Sequence, residues 1–166
     1  MVIYEEEHQQ LTEISERLAR DALAKAIFVV DKDGQLVTST GETAGIDTTG
    51  LASLVAGSTA ATGGLAQMLG EEEFPVHFHE GTHSHVHISV IAGALILVVI
   101  FDDRSSLGLV RLRVKRTYKD MMAVYEKIQA RMANEDQKLE ETKKRKEETA
   151  QSEITPLIIE DWGFKK

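Results

Sequence analysis

The sequence predicts an α/β fold of the α+β type, with elements in the order α-β-β-α-β-β-β-α and a mixed or antiparallel sheet of five strands. Two observations carry this expectation. Three segments place apolar residues three and four positions apart among polar ones, the spacing of a helix with one buried stripe. Between them lie five short apolar or β-like runs bounded by Gly, Pro and Asp, the punctuation of strands and hairpins. The 166 residues, 42% of them apolar, suffice for one domain with its own core and an appendage.

From Tyr4 to Lys25, Leu11, Ile14, Leu18 and Ala22 recur at helical spacing. Ala26 to Val30 is a short apolar run, followed by Asp31-Lys32-Asp33-Gly34 and Gln35 to Thr40, which together read as a hairpin. After a loop over Gly41 to Gly45, Asp47 offers an N-cap for a second helix that runs to about Leu69 and stops at Gly70. Glu71 to Glu80 is a candidate strand, and Pro75 within it cannot donate to a ladder, so it belongs at an edge. His83 to Ile91 and Leu95 to Phe101 are two more strands turning at Ala92-Gly93; the last is apolar on both faces and should lie centrally. A third helix starts near Arg104, with a stripe of Leu107, Val110, Val114, Tyr118, Met121, Tyr125, Ile128 and Met132. After Ala133 the charge-dense EDQKLEETKKRKEET has almost nothing to bury, and is either a solvated helical extension or disordered.

Composition narrows the function classes. A net charge of -8 argues against nucleic acid and anionic membranes as partners. No cysteine is present, which removes disulfides and thiolate metal sites and suits a reducing compartment. The acidic, polar MVIYEEEHQQL is unlike a secretory signal, and the fourteen apolar-rich residues from Ile88 to Phe101 are too few to span a bilayer; a cytoplasmic location is expected.

The second helix is the most informative segment, because Thr48 to Gly70 contains no charged residue. On a helical wheel, Leu51, Leu54, Val55, Ser58, Thr62, Leu65 and Leu69 share one side, which should face the sheet. The other side carries Ser53, Ala56, Ala60, Gly63, Gly64 and Gln67, where a surface helix would place Lys and Glu. Each helical glycine costs roughly 1 kcal/mol against alanine, so something must offset it. Close approach of another backbone does so, which makes this side a candidate protein-docking face; burial within the protomer is the alternative.

Catalytic signatures are missing from the chain. No P-loop, nucleophile elbow or kinase motif occurs. The pair Asp102-Asp103 sits where helix capping explains it. Arg111, Arg113, Lys115 and Arg116 read as a solvated helix face, with an arginine finger in trans as the sharper alternative. His83, His85 and His87 would point the same way on a strand and could capture zinc or nickel. Residues two apart on a strand are nearly 7 Å apart, however, which suits one tetrahedral ion poorly, so a half-exposed sheet face is preferred.

The strings VVDKDGQLVTSTGE, IDTTGLASLVAG, ATGGLAQMLGE and LVVIFDDRSSLGLVRLRVK resemble the roadblock/LC7-domain proteins of bacterial gliding motility, a likeness that covers residues 1–132. The resemblance implies a profilin-like α/β/α sandwich. It implies a homodimer joined through the third strand, here carrying Phe74, Val76 and Phe78. It further implies that the paired second helices meet a small Ras-like GTPase, one per dimer, with Ala60 and Gly64 at the contact. Such proteins are GTPase activators that supply no catalytic residue and need no cofactor; they reshape the switch region in the service of cell polarity, at a cell pole. The tail SEITPLIIEDWGF is similar to a terminal motif that grips the GTPase and promotes nucleotide exchange, which here would use Ile154, Leu157, Ile158, Trp162 and Phe164. Residues 1–132 are then the roadblock domain, and 133–166 a spacer with a docking motif. The histidine cluster and the Lys-rich spacer depart from the family pattern. Two rival roles are a passive scaffold that holds a GTPase without accelerating it, and a metal-binding protein built on the histidines.

Overall fold

The computed structural model describes residues 1–160, with side-chain surroundings up to Ser152. The chain divides into two units, one of residues 1–127 and one that starts at Ile128.

In the first unit, α1 (Glu5–Asp21) opens with Glu5, Glu6 and Glu7 at the positive end of its dipole, and buries Leu11, Ile14 and Leu18. It is shorter than the expected Tyr4–Lys25. The chain leaves it through Leu23 at φ 51°, with Leu23 N–H donating to the Arg20 carbonyl (3.3 Å) and Ala24 N–H to the Ala19 carbonyl (2.9 Å). That paired closure of a helix end normally uses glycine at the left-handed position. Leu23→Gly is therefore expected to raise stability by about 1 kcal/mol, since the exposed leucine carries a Cβ penalty there and packs on little. A higher urea midpoint with an unchanged slope would show it.

β1 (Ala26–Asp31) and β2 (Leu36–Gly41) form the expected hairpin. Asp31 Oδ1 accepts from the backbone N–H of Asp33 (3.0 Å) and Gln35 (2.9 Å), and Gly34 takes φ 87°. After α2 (Thr48–Met68), the chain adds β3 (Val76–His79), β4 (His85–Ile91) and β5 (Leu95–Phe101). The sheet order is β2-β1-β5-β4-β3, and every pairing is antiparallel. β5 is central and buried along its whole length, as its two-faced apolar sequence predicts. β3 lies at the edge, but spans four residues rather than the expected ten, because Pro75 halts the ladder. β4 begins at His85, not His83.

One sheet face presents Ala26, Phe28, Val30, Ile88, Ile96, Val98 and Ile100 to Ala52 and Val55 of α2. The alternate residues, among them Ile27, Val29, Leu97 and Val99, are equally buried on the other face. There α1 packs on β1 and β2, and Thr12 Oγ1 meets Thr38 Oγ1 at 2.8 Å. α3 (Leu107–Glu160) shares this side: Arg17 pairs with Asp120, and Ser105 Oγ donates to the Ala22 carbonyl. Three layers result, α2, the sheet, and α1 with the start of α3. The α3 stripe runs through Val110, Val114, Thr117, Met121 and Val124; Thr117 replaces the expected Tyr118, which is exposed.

In the second unit α3 continues as helix, so the charged stretch after Ala133 is helical through Glu160. Its described side chains from Ala133 to Ser152 are solvent-exposed. Glu140–Lys144, Glu141–Arg145 and Lys144–Glu148 have the spacing at which opposite charges support a helix by roughly 0.2–0.5 kcal/mol each. Ile154, Leu157 and Ile158 lie in a stretch whose side chains fall outside the described residues; Trp162 and Phe164 lie wholly outside them.

Candidate protein-docking site

α2 is fixed at both ends. Asp47 Oδ1 accepts from Gly50 N–H at 3.0 Å, the N-cap expected of it. At the other end Gly70 takes φ 76°, with its N–H on the Gln67 carbonyl (3.2 Å) and Glu71 N–H on the Ala66 carbonyl (2.9 Å).

Between those ends, the face turned to the sheet is only in part the one the wheel predicts: Val55 is buried and Leu51 packs on the core as expected, but the other leucines do not follow. Ala52, Val55 and Ala66 are buried, while Leu54, Leu65, Met68 and Leu69 are 76%, 50%, 84% and 65% exposed. Phe28, Val30, Ile96 and Val98 already fill the space beneath the helix, so the helix seats its small residues on them and comes close. Leu54, Leu65, Met68 and Leu69 are left outside. Ala60, Gly64, Ser53 and Gln67 are exposed as expected, and Gly63 is half-buried. Ala56 is corrected: it is half-buried against the core, beside the hairpin turn, where a Cβ on Gly34 would sit 3.6 Å from its own. A Cβ built on Gly57, Gly63 or Gly64 meets nothing within 4 Å, so nothing inside the protomer requires these glycines. The outer face of α2 thus combines small residues with exposed leucines and carries no charge. Sequence reasoning misses the leucines because it ranks burial by side-chain size; the bulk of the opposing β1 and β5 residues is the signal that points the other way.

β3 supplies a second feature. Val90 N–H donates to the Pro75 carbonyl at 2.8 Å, which makes Pro75–Val90 a hydrogen-bonded pair. Val76–Ser89 and Phe78–His87 are paired in register and are then non-hydrogen-bonded pairs, so the N–H and C=O of Val76 and Phe78 point to the open edge. The Val76 side chain is 46% exposed; Phe78 is half-buried, stacking on Phe101 at 6.2 Å. Phe74, expected in this strand, lies before it, and its carbonyl accepts from His77 Nε2 at 2.8 Å.

The histidines do not converge. His83 sits in the loop before β4, and among the described residues no three metal-ligating side chains come together. His85 packs between Phe78 and Phe101, with ring centroids 6.2 and 5.2 Å away. His87 is 1% exposed, not half-exposed, with Nδ1 at 3.4 Å from Ser89 Oγ. Burial, and then the nearby Arg111 charge, lower its pKa, so it is held neutral. Because the folded pKa lies below the unfolded value near 6.5, stability is complete above that pH and is lost as pH falls through it. Urea midpoints are expected to drop between pH 7.5 and 5.5, and His87→Gln should flatten that drop.

The carboxylates have structural work. Asp102 accepts from Arg104 Nε (2.9 Å), Nη2 (2.9 Å) and the Arg104 backbone N–H (3.1 Å), and the guanidinium holds its pKa down at about 2. Ser106 Oγ caps α3 through Leu109 N–H at 3.2 Å. Arg111, Lys115 and Arg116 are exposed on α3, and Arg113 has its Nε buried without a partner. All four lie across the sheet from α2.

Residues 11–101 match the Roadblock/LC7 domain. The chain belongs to the Roadblock/LC7 family. The matched segment runs from within α1 to the end of β5, so it contains both the α2 face and the β3 edge. Among solved structures, this roadblock chain is similar to MglB of Myxococcus xanthus, with 50% identity, a TM-score of 0.73, and coverage of 76% of this chain and 96% of that one. It is similar also to the gliding protein MglB of Thermus thermophilus, at 28% identity and TM-score 0.71, with the same coverage. A third similar structure is described as MglB with tetrameric arrangement (27% identity, TM-score 0.72, covering 76% of this chain and 96% of that chain). Comparison with curated protein sequences gives no match. Among the described residues, no helix is long and apolar enough to cross a membrane.

Proposed function

We propose that this roadblock chain is a gliding-motility regulator of the MglB type, a homodimer that activates a small Ras-like GTPase without contributing a catalytic residue. The observation that carries this reading is the outer face of α2. Over 21 residues the helix has no charge, a Cβ on three of its glycines would meet nothing in the protomer, and Leu54 and Leu65 stand in solvent. A second protein that covers this face would offset the glycine cost and bury the leucines, each worth roughly 1.5–3 kcal/mol on full burial. The 50% identity to an MglB over most of its length supports the gliding-motility assignment.

Activation would proceed by population shift. A GTPase whose hydrolytic arrangement is seldom populated is accelerated by a surface that binds that arrangement best, about tenfold for each 1.4 kcal/mol of preference. Single-turnover GTP hydrolysis by the small Ras-like GTPase of the same cell, with and without this protein, is the test. Acceleration supports the reading; binding without acceleration would leave a passive scaffold.

The β3 edge is the proposed dimer seam, with Val76 and Phe78 offering free backbone groups to a second copy. Residues 1–132 are proposed as the roadblock module and 133–166 as spacer and docking motif. A chain ending at Met132 should keep the dimer while losing any stimulation of nucleotide release. Equal release of a labelled GDP analogue by both lengths would make the tail a plain appendage.

A further inference from the structure

On the sheet face opposite α2, a groove of about 830 Å³ runs between the β3–β4 edge and α3. Its accessible apolar lining includes Pro75, Val76 and Tyr118. Its α3 wall carries Arg111, Lys115 and Lys119, all exposed, and none of the three has a hydrogen bond or ion pair among the described residues. Glu73 is the single acidic residue lining it. A chain of net charge -8 that gathers three unneutralised cations beside an apolar lining runs against its own composition.

The cations follow one another every four residues, so they are roughly 6 Å apart along the helix axis. A small anion would engage one or two of them. Carboxylates spaced four residues apart on a second helix recur at the same interval, and such a helix can lay apolar residues on Val76 and Tyr118 while its acids face the three cations. We propose that this groove is a docking site for an acidic amphipathic helix of a partner protein, anchored by Arg111, Lys115 and Lys119. The site is separate from the α2 face, with the sheet between them; it borders the β3 edge through Val76, so a second copy paired there would lie beside the docked helix. It does not depend on the GTPase reading.

The probe is a fluorescein-labelled, capped helical peptide with Glu at three positions four apart and Leu beside them, titrated into the full chain and followed by anisotropy at low salt. Saturable binding is expected, weakened at least tenfold by Lys115→Glu with Lys119→Glu, by Gln in place of Glu in the peptide, and by raising salt from 50 to 300 mM. Ala60→Arg, on the other face, should leave it unchanged. Circular dichroism and a urea midpoint establish that the doubly substituted chain is folded, and Lys115→Gln with Lys119→Gln gives a milder variant that should fall between. No binding, or equal binding of the Glu and Gln peptides, would overturn the proposal. So would sedimentation with phosphatidylglycerol vesicles that is lost in the Lys→Glu variant while the peptide stays unbound, since the groove would then serve a membrane surface.

Discussion

Ala60→Arg is expected to abolish the proposed GTPase activation while leaving the protein folded. Ala60 is exposed on α2, and arginine is a good helix former, so the protomer has room for the longer side chain. At a docked face that fits an uncharged helix, the same guanidinium would be taken out of water with no carboxylate on α2 to receive it. An uncompensated buried charge costs on the order of 3–5 kcal/mol, which corresponds to at least a hundredfold loss of stimulation. Single-turnover hydrolysis at saturating wild type and matched variant measures it. Unchanged stimulation by a folded variant would remove α2 from the docking site.

Val76→Pro should convert the proposed dimer to monomer. The Val76 N–H points away from β4, so proline there costs the protomer no ladder bond, and Pro75 already sits beside it in the chain. A second strand pairing on this edge would lose that donor and meet the ring. In a two-fold interface the defect occurs twice, so two losses of about 1.5 kcal/mol weaken the dimer roughly a hundredfold. Sedimentation velocity over a dilution series reads the change, and Val76→Thr, which keeps the N–H, should pair as wild type does. A proline variant that stays dimeric would place the seam elsewhere.

Much of this architecture is legible in the sequence because its signals are local. The Asp31–Gly34 turn, the Asp47 cap and the Gly70 stop each depend on a few adjacent residues, and the structure places each where the sequence does. The centrality of β5 follows from seven residues that leave neither face polar. Properties set by non-adjacent segments are not legible in the same way. Which side of α2 faces inward depends on the volume offered by Phe28 and Val98, far away in sequence, so a helical wheel turns Leu54 and Leu65 to the wrong face. His87 looks like its neighbours His83 and His85, and only the arrival of α3 over β4 seals it. The basic row on α3 is visible in the sequence, but the Pro75 and Val76 side of the groove, which gives it meaning, comes from the distant β3 edge.

The sheet ends in two unlike borders, β3 on one side and β2 on the other. Joining β3 to β3 would consume the same border on both molecules, so growth halts at a closed pair. Joining β3 to β2 head-to-tail would leave a fresh border at each addition and extend into a filament. The register slip between Val29 and Val30, where β1 meets β2, distorts that far border and makes it a poor template. The fold thereby favours a finite assembly over a fibre.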